Sequence, residues 1–132
     1  MSSFTKPFKV IVHNVPLKDK PFEINERFEF YSEENNGYTI YIPKGYRTDF
    51  ATVPRFLWSL VPPVGRWSKA TIVHDWLIDN PTEHNLGINQ INTVLNESMK
   101  ELDVRWRYRQ LIFRSVDTYW RLRSLIGFKW NK

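Results

Sequence analysis

The sequence predicts an α+β fold, with antiparallel strands in the first third of the chain and helices in the remainder. Three observations carry this expectation. β-branched and aromatic runs of strand length stop at Ile42, and helical spacing of apolar residues begins near Arg66. Strands grouped ahead of helices argue against an alternating α/β sheet. The 132 residues, 42% apolar and 16% aromatic, suit one domain, 1–132, with a single well-filled core.

The first strand is expected over residues 8–13, where Phe8, Val10, Ile11 and Val12 cluster. Pro16 and the charged Lys18-Asp19-Lys20 end it. A second strand is expected over 22–31. Phe22, Ile24, Phe28 and Phe30 fall on one face, with a slip near Glu26-Arg27 that reads as a bulge. Asn35-Asn36-Gly37 is a hairpin turn by composition, because these residues tolerate φ > 0. Tyr38 to Ile42 returns as the partner strand, closed by Pro43-Lys44-Gly45. Residues 46–54 read as a loop. Thr52 is placed to cap a short helix over 55–60, with Pro54 near its first turn.

Three longer helices follow, expected over about 66–78, 87–102 and 104–125. The first is apolar nearly all round, which marks a buried helix. The second carries the stripe Ile88, Ile91, Leu95, Met99 and Leu102. The third carries Tyr108, Ile112, Ser115 or Val116, Tyr119, Leu122 and Ile126. The tail from Gly127 reads as a loose end.

Composition excludes several chemistries. The chain has no cysteine, so it has no disulfide framework, thiol nucleophile or cysteine-based zinc site. Its five glycines are isolated, which leaves no glycine-rich phosphate loop and no serine elbow. His13, His74 and His84 lack a short metal-ligand spacing. No stretch approaches the ~20 apolar residues of a membrane span, and the N-terminus lacks the apolar run of a signal peptide.

Charge is unevenly placed. Residues 103–132 hold eight Lys/Arg and two Asp, whereas the remainder is close to neutral. Arg107, Arg114 and Arg121 recur every seven residues and share a helical face near Trp106, Tyr108 and Trp120. Such a face suits nucleic acid or a protein partner, or serves as a solvated surface whose arginine stems cover apolar neighbours.

The candidate site centres on His74-Asp75. Trp67, Ala70, His74 and Leu77 share one side of the first long helix, which directs His74 into protein. A buried imidazole must satisfy two ring nitrogens. Asn92 flanks the stripe of the next helix and meets His74 if the two helices pack antiparallel. One reading makes His74 a general base, oriented by Asn92, with Asp75 for an ion or a second proton. The other makes it a satisfied core histidine beside a surface aspartate. Asp49, preceded by Thr48, sits in a loop after a strand, where site residues concentrate. It serves either function or a local Asx turn. Arg47, Arg55 and Arg66 flank this region and suit Asp49 or an anionic ligand. Asp49 and Asp75, with backbone carbonyls, offer the oxygen ligands that a hard cation such as calcium prefers.

The run from Ile42 through Thr48-Asp49-Phe50-Ala51-Thr52-Val53-Pro54-Arg55, then Gly65-Arg66-Trp67 and His74-Asp75-Trp76-Leu77, resembles a family of small phage and prophage proteins known as domain of unknown function 1353. The resemblance covers about residues 22–104. It implies a phage origin, location in the virion or the host cytoplasm, and phage or host proteins as partners. It brings no activity. Family members tend to carry Asp at the position of Asn92, where this chain departs. In layout, the His-Asp pair followed by a polar residue on the next helix is also similar to phospholipases A2, without their calcium loop or disulfides.

Three expectations follow. The first is a hydrolase-like protein in which His74 activates water on an ester or related bond. The second is a non-enzymatic virion component, of tail, baseplate or assembly type, docking through its aromatic and basic surfaces. The third is a nucleic-acid or host-factor binder acting through residues 103–132.

Overall fold

The structure is a computed structural model that describes residues 3–4, 9–33, 37–49, 57–61 and 65–125. It is α+β, as the sequence predicts. Strands β1 (Ser3–Phe4), β2 (Val10–Val12), β3 (Phe22–Ile24), β4 (Phe28–Ser32), β5 (Tyr38–Ile42) and β6 (Arg47–Thr48) precede helices α1 (Ser68–Asp79), α2 (Ile88–Glu101) and α3 (Trp106–Leu125). The helix ends fall within two residues of those expected.

The strands form two small antiparallel sheets, ordered β1-β4-β5 and β2-β3-β6. This corrects the single strand expected over 22–31. The slip at Glu26-Arg27 is where the chain leaves one sheet and enters the other, rather than a bulge within one strand. The first strand is shorter than expected, and residues 47–48, expected as loop, pair with Phe22 and Glu23. Thr52, Arg55, the turn residues Asn35 and Asn36, and Ile126 onward lie outside the described residues.

The β4–β5 hairpin follows from period-2 patterning. Phe28 pairs with Ile42 and Phe30 with Ile40, so all four point to one buried face. Gly37 sits at φ +75°, a conformation that strains most residues with a side chain, and glycine adopts it freely. Gly45, at φ +91°, reverses the chain after β5, and its N–H donates to the Ile24 carbonyl. That turn swings Tyr46 to Thr48 against β3 and toward α1.

α1 and α2 share two apolar clusters. Ile72, Val73, Leu77, Ile91 and Val94 pack with Phe28, Phe30, Ile40 and Ile42 of the sheet. Ala70, Leu95 and Met99 pack with Ile112 and Val116 of α3. Ser32 Oγ donates to Glu97 Oε1 across 2.6 Å, a buried polar link between β4 and α2. The predicted α3 stripe is buried only in part: Ile112 and Val116 are enclosed, whereas Tyr119 and Leu122 are exposed. Among the described residues, no helix is long and apolar enough to cross a membrane.

Candidate active site

His74 lies in the seam between α1 and α2 because helical phase puts it on the same side as Ala70 and Leu77. It is 3% exposed. Its Nε2 stands 2.8 Å from Asn92 Oδ1. An amide oxygen only accepts, so Nε2 carries the proton and Nδ1 is the basic nitrogen. Burial pulls the imidazole pKa down to about 4, against smaller upward contributions from the Asn92 hydrogen bond and the Asp79 charge. The ring is therefore neutral at neutral pH.

Asp75 is the next residue, turned about 100° around the helix, and partly buried. Its Oδ2 accepts from Thr48 Oγ1 at 2.8 Å, which ties β6 to α1. One turn further, Asp79 Oδ2 accepts from the Tyr46 hydroxyl at 2.8 Å and faces Lys20 Nζ at 3.6 Å. Tyr46 stands among carboxylates. Burial raises its pKa, the charges of Asp75 and Asp79 and its hydrogen bond to Asp79 add to this, and Asp49 adds further. The phenol stays neutral and acts as a donor.

His74, Asp75 and Asp79 border one cavity of about 400 Å³. Thr48, Asp49, His74, Asp75 and Asp79 line its polar wall with Lys20, while Ile78, Val116, Tyr119 and Trp120 line its apolar wall. The structure thus brings together five of the residues singled out by sequence: Thr48, Asp49, His74 and Asp75 at the cavity, and Asn92 behind the imidazole.

Two arginines fall elsewhere. Arg47 was expected to hold Asp49 or an anion, but its Nε donates to the Lys20 carbonyl at 2.8 Å and its Nη2 to that of Asp19 at 3.3 Å. Antiparallel pairing of β6 with β3 sets this direction. Arg66 lines a separate cavity with Trp67, Asp103, Arg105 and Tyr108, because it precedes α1 by two residues and lies beside the start of α3. Arg55 lies outside the described residues. Arg107, Arg114 and Arg121 are all exposed on α3. His84 is structural: Nε2 bonds the Leu77 carbonyl at 2.8 Å and Nδ1 accepts from the Leu86 N–H at 3.0 Å.

Sequence reasoning missed Tyr46, Asp79 and Lys20. Asp79 had a signal, since it follows Asp75 by four residues and shares its helical face. Tyr46 stood inside the Ile42–Arg55 run without being given a role. Lys20 reaches the site only through tertiary folding. Among the described residues, no three His, Asp or Glu side chains converge as a metal site, so the cation expected at Asp49 and Asp75 gains no support from this geometry.

Comparison with known proteins adds kinship without activity. Residues 22–116 match the family described as "Protein of unknown function (DUF1353)". An "Uncharacterized protein y4jT" of Sinorhizobium fredii (strain NBRC 101917 / NGR234) is 33% identical over 60 residues. That match covers 44% of this chain and 17% of the relative, so the chain spans less than a fifth of that protein's length. No solved structure matches, and the layout likeness to phospholipases A2 finds no support. Neither the family description nor the relative's name bears on a phage origin.

Proposed function

The chain belongs to the DUF1353 family, and from the geometry of its cavity we propose that it is a small hydrolase-like protein whose His74 activates water on an ester or related bond. The observation that carries this reading is the shared cavity. A buried neutral imidazole borders about 400 Å³ of space together with Asp49, Asp75 and Asp79.

In the proposed reaction, Nδ1 of His74 takes a proton from water as the oxygen attacks the carbonyl carbon. Nε2 keeps its proton and its bond to Asn92, which fixes the tautomer and the ring plane. The C–O bond to the leaving group then breaks. The imidazolium returns its proton to the departing oxygen, so water and ester become acid and alcohol. A base held at about 4 is weak, and the imidazolium needs stabilising charge when it forms. Asp79 supplies some of it, since its charge already favours the protonated ring. Thr48 holds Asp75 at the cavity wall, and Tyr46 holds Asp79.

The test is hydrolysis of a panel of chromogenic esters by the wild-type chain, His74→Gln and Asp75→Asn, with near-UV circular dichroism to establish folding. General-base catalysis predicts a loss of about 10²–10⁴-fold in His74→Gln. Equal turnover by folded His74→Gln and wild type contradicts the reading.

A second reading has its own observation. α3 exposes Trp106 at 64% and Leu125 at 81%, together with Tyr119, Leu122 and the three arginines spaced by seven. A surface rich in Trp, Tyr and Arg suits macromolecular docking, as in a non-enzymatic virion or assembly component. Stoichiometric presence in purified particles supports this reading, and its absence from them counts against it.

A further inference from the structure

We propose that the N-terminal turn of α2, with Asn92 and Arg121, forms a binding site for an oxyanion, namely a phosphate or carboxylate group. The site is distinct from the His74 cavity and does not depend on His74 acting as a base.

Three independent features meet there. The first is backbone. α2 is fourteen residues long and starts after Gly87, with no side chain capping its first turn. Gln90 Oε1 accepts from the Gly87 N–H at 2.9 Å, but the first-turn amides of Ile88, Asn89 and Gln90 make no hydrogen bond among the described residues. Such amides and the positive end of the helix dipole favour negative charge.

The second feature is a buried orphan donor. Asn92 is 1% exposed. Its Oδ1 is engaged by His74, while its Nδ2 has no hydrogen-bond partner. A buried N–H left unmet is destabilising, so a partner is expected. Asn92 borders a second cavity, of about 460 Å³, together with Gly87, Ile88, Asn89 and Gln90. A group bound there completes the amide, with imidazole at its oxygen and oxyanion at its nitrogen.

The third is a cation. Arg121 lines the same cavity, on an exposed turn of α3. Asp117 lines it too, and its Oδ2 accepts from Arg121 Nε at 2.8 Å. That bond offsets the carboxylate charge and aligns the guanidinium. Both Nη groups remain without a hydrogen bond among the described residues. Two amino groups beside an array of N–H donors match the lone pairs of a phosphate or a carboxylate.

The experiment is a ¹H–¹⁵N titration of the intact chain with sodium phosphate and, separately, with sodium acetate. Sodium chloride at equal ionic strength is the control, and Arg121→Gln is run in parallel. The expected result is saturable shifts at the backbone amides of Ile88, Asn89 and Gln90 and at the Asn92 side-chain amide. They should be absent in chloride, and the midpoint should rise roughly 3- to 10-fold in Arg121→Gln, as for loss of one hydrogen bond of ordinary net strength at an exposed side chain. A response to phosphate alone assigns a phosphate group, to acetate alone a carboxylate, and to both the oxyanion in general. The proposal is overturned if neither anion gives saturable shifts there, the outcome expected if a water molecule satisfies Asn92. It is also overturned if chloride acts equally or Arg121→Gln leaves the midpoint unchanged. None of these readouts involves turnover, so failure here is distinguishable from failure of the hydrolase reading.

Discussion

Asn92 Oδ1 accepts a hydrogen bond from His74 Nε2 across 2.8 Å, inside the seam between α1 and α2. The bond fixes which imidazole nitrogen is basic and in which direction it is held. Replacing Asn92 by Ala strands a buried N–H. The expected cost is about 1–3 kcal/mol of stability, and the His74 pKa falls below about 4 because an upward contribution is lost. Asn92→Asp places a carboxylate against the ring and moves that pKa upward. Urea denaturation and an NMR titration of the His74 ring check both directions.

Stability should depend on pH through the same histidine. His74 titrates near 4 when folded, against 6.5 when free. Between those values the unfolded chain binds the extra proton, so stability rises with pH. The contribution is complete above pH 6.5, is lost as pH falls toward 4, and changes little further below. Its size is on the order of 3 kcal/mol by the folded and unfolded values. Denaturation midpoints at pH 7.5 and 4.5 should converge in His74→Gln relative to wild type. An undiminished difference in that variant removes His74 as the source.

Thr48 holds the site together from the strand side. Thr48→Val keeps the shape and removes the donor to Asp75 Oδ2. The expected cost is about 1–2 kcal/mol, with Thr48→Ser recovering most of it. Thermal unfolding of the three proteins measures this, and equal stability of Val and Ser variants argues that the hydrogen bond contributes nothing.

Local pattern made much of this legible. Period-2 alternation located the β4–β5 hairpin, and period 3.6 located all three helices. Helical phase brought His74 to Asn92. The division of residues 22–31 between two sheets was hidden, because Phe22, Ile24, Phe28 and Phe30 keep one alternation across the break, and only long-range pairing with β6 and β5 separates them. Arg47 and Arg66 point elsewhere for the opposite reason. Closeness in sequence suggested closeness to Asp49, whereas strand pairing and the start of α1 point them elsewhere. Tyr46 and Lys20 join the site through the Gly45 turn and the approach of the Lys20 segment to α1, neither of which has a local signature.

A general base at His74 leaves its signature in the pH–rate profile. With a chromogenic ester that the wild type turns over, kcat/KM should rise through an apparent pKa near the folded value of about 4 and stay level to neutral pH. In folded His74→Gln the rise should vanish and the plateau should drop about 10²–10⁴-fold. A profile unchanged by His74→Gln would exclude His74 as the base.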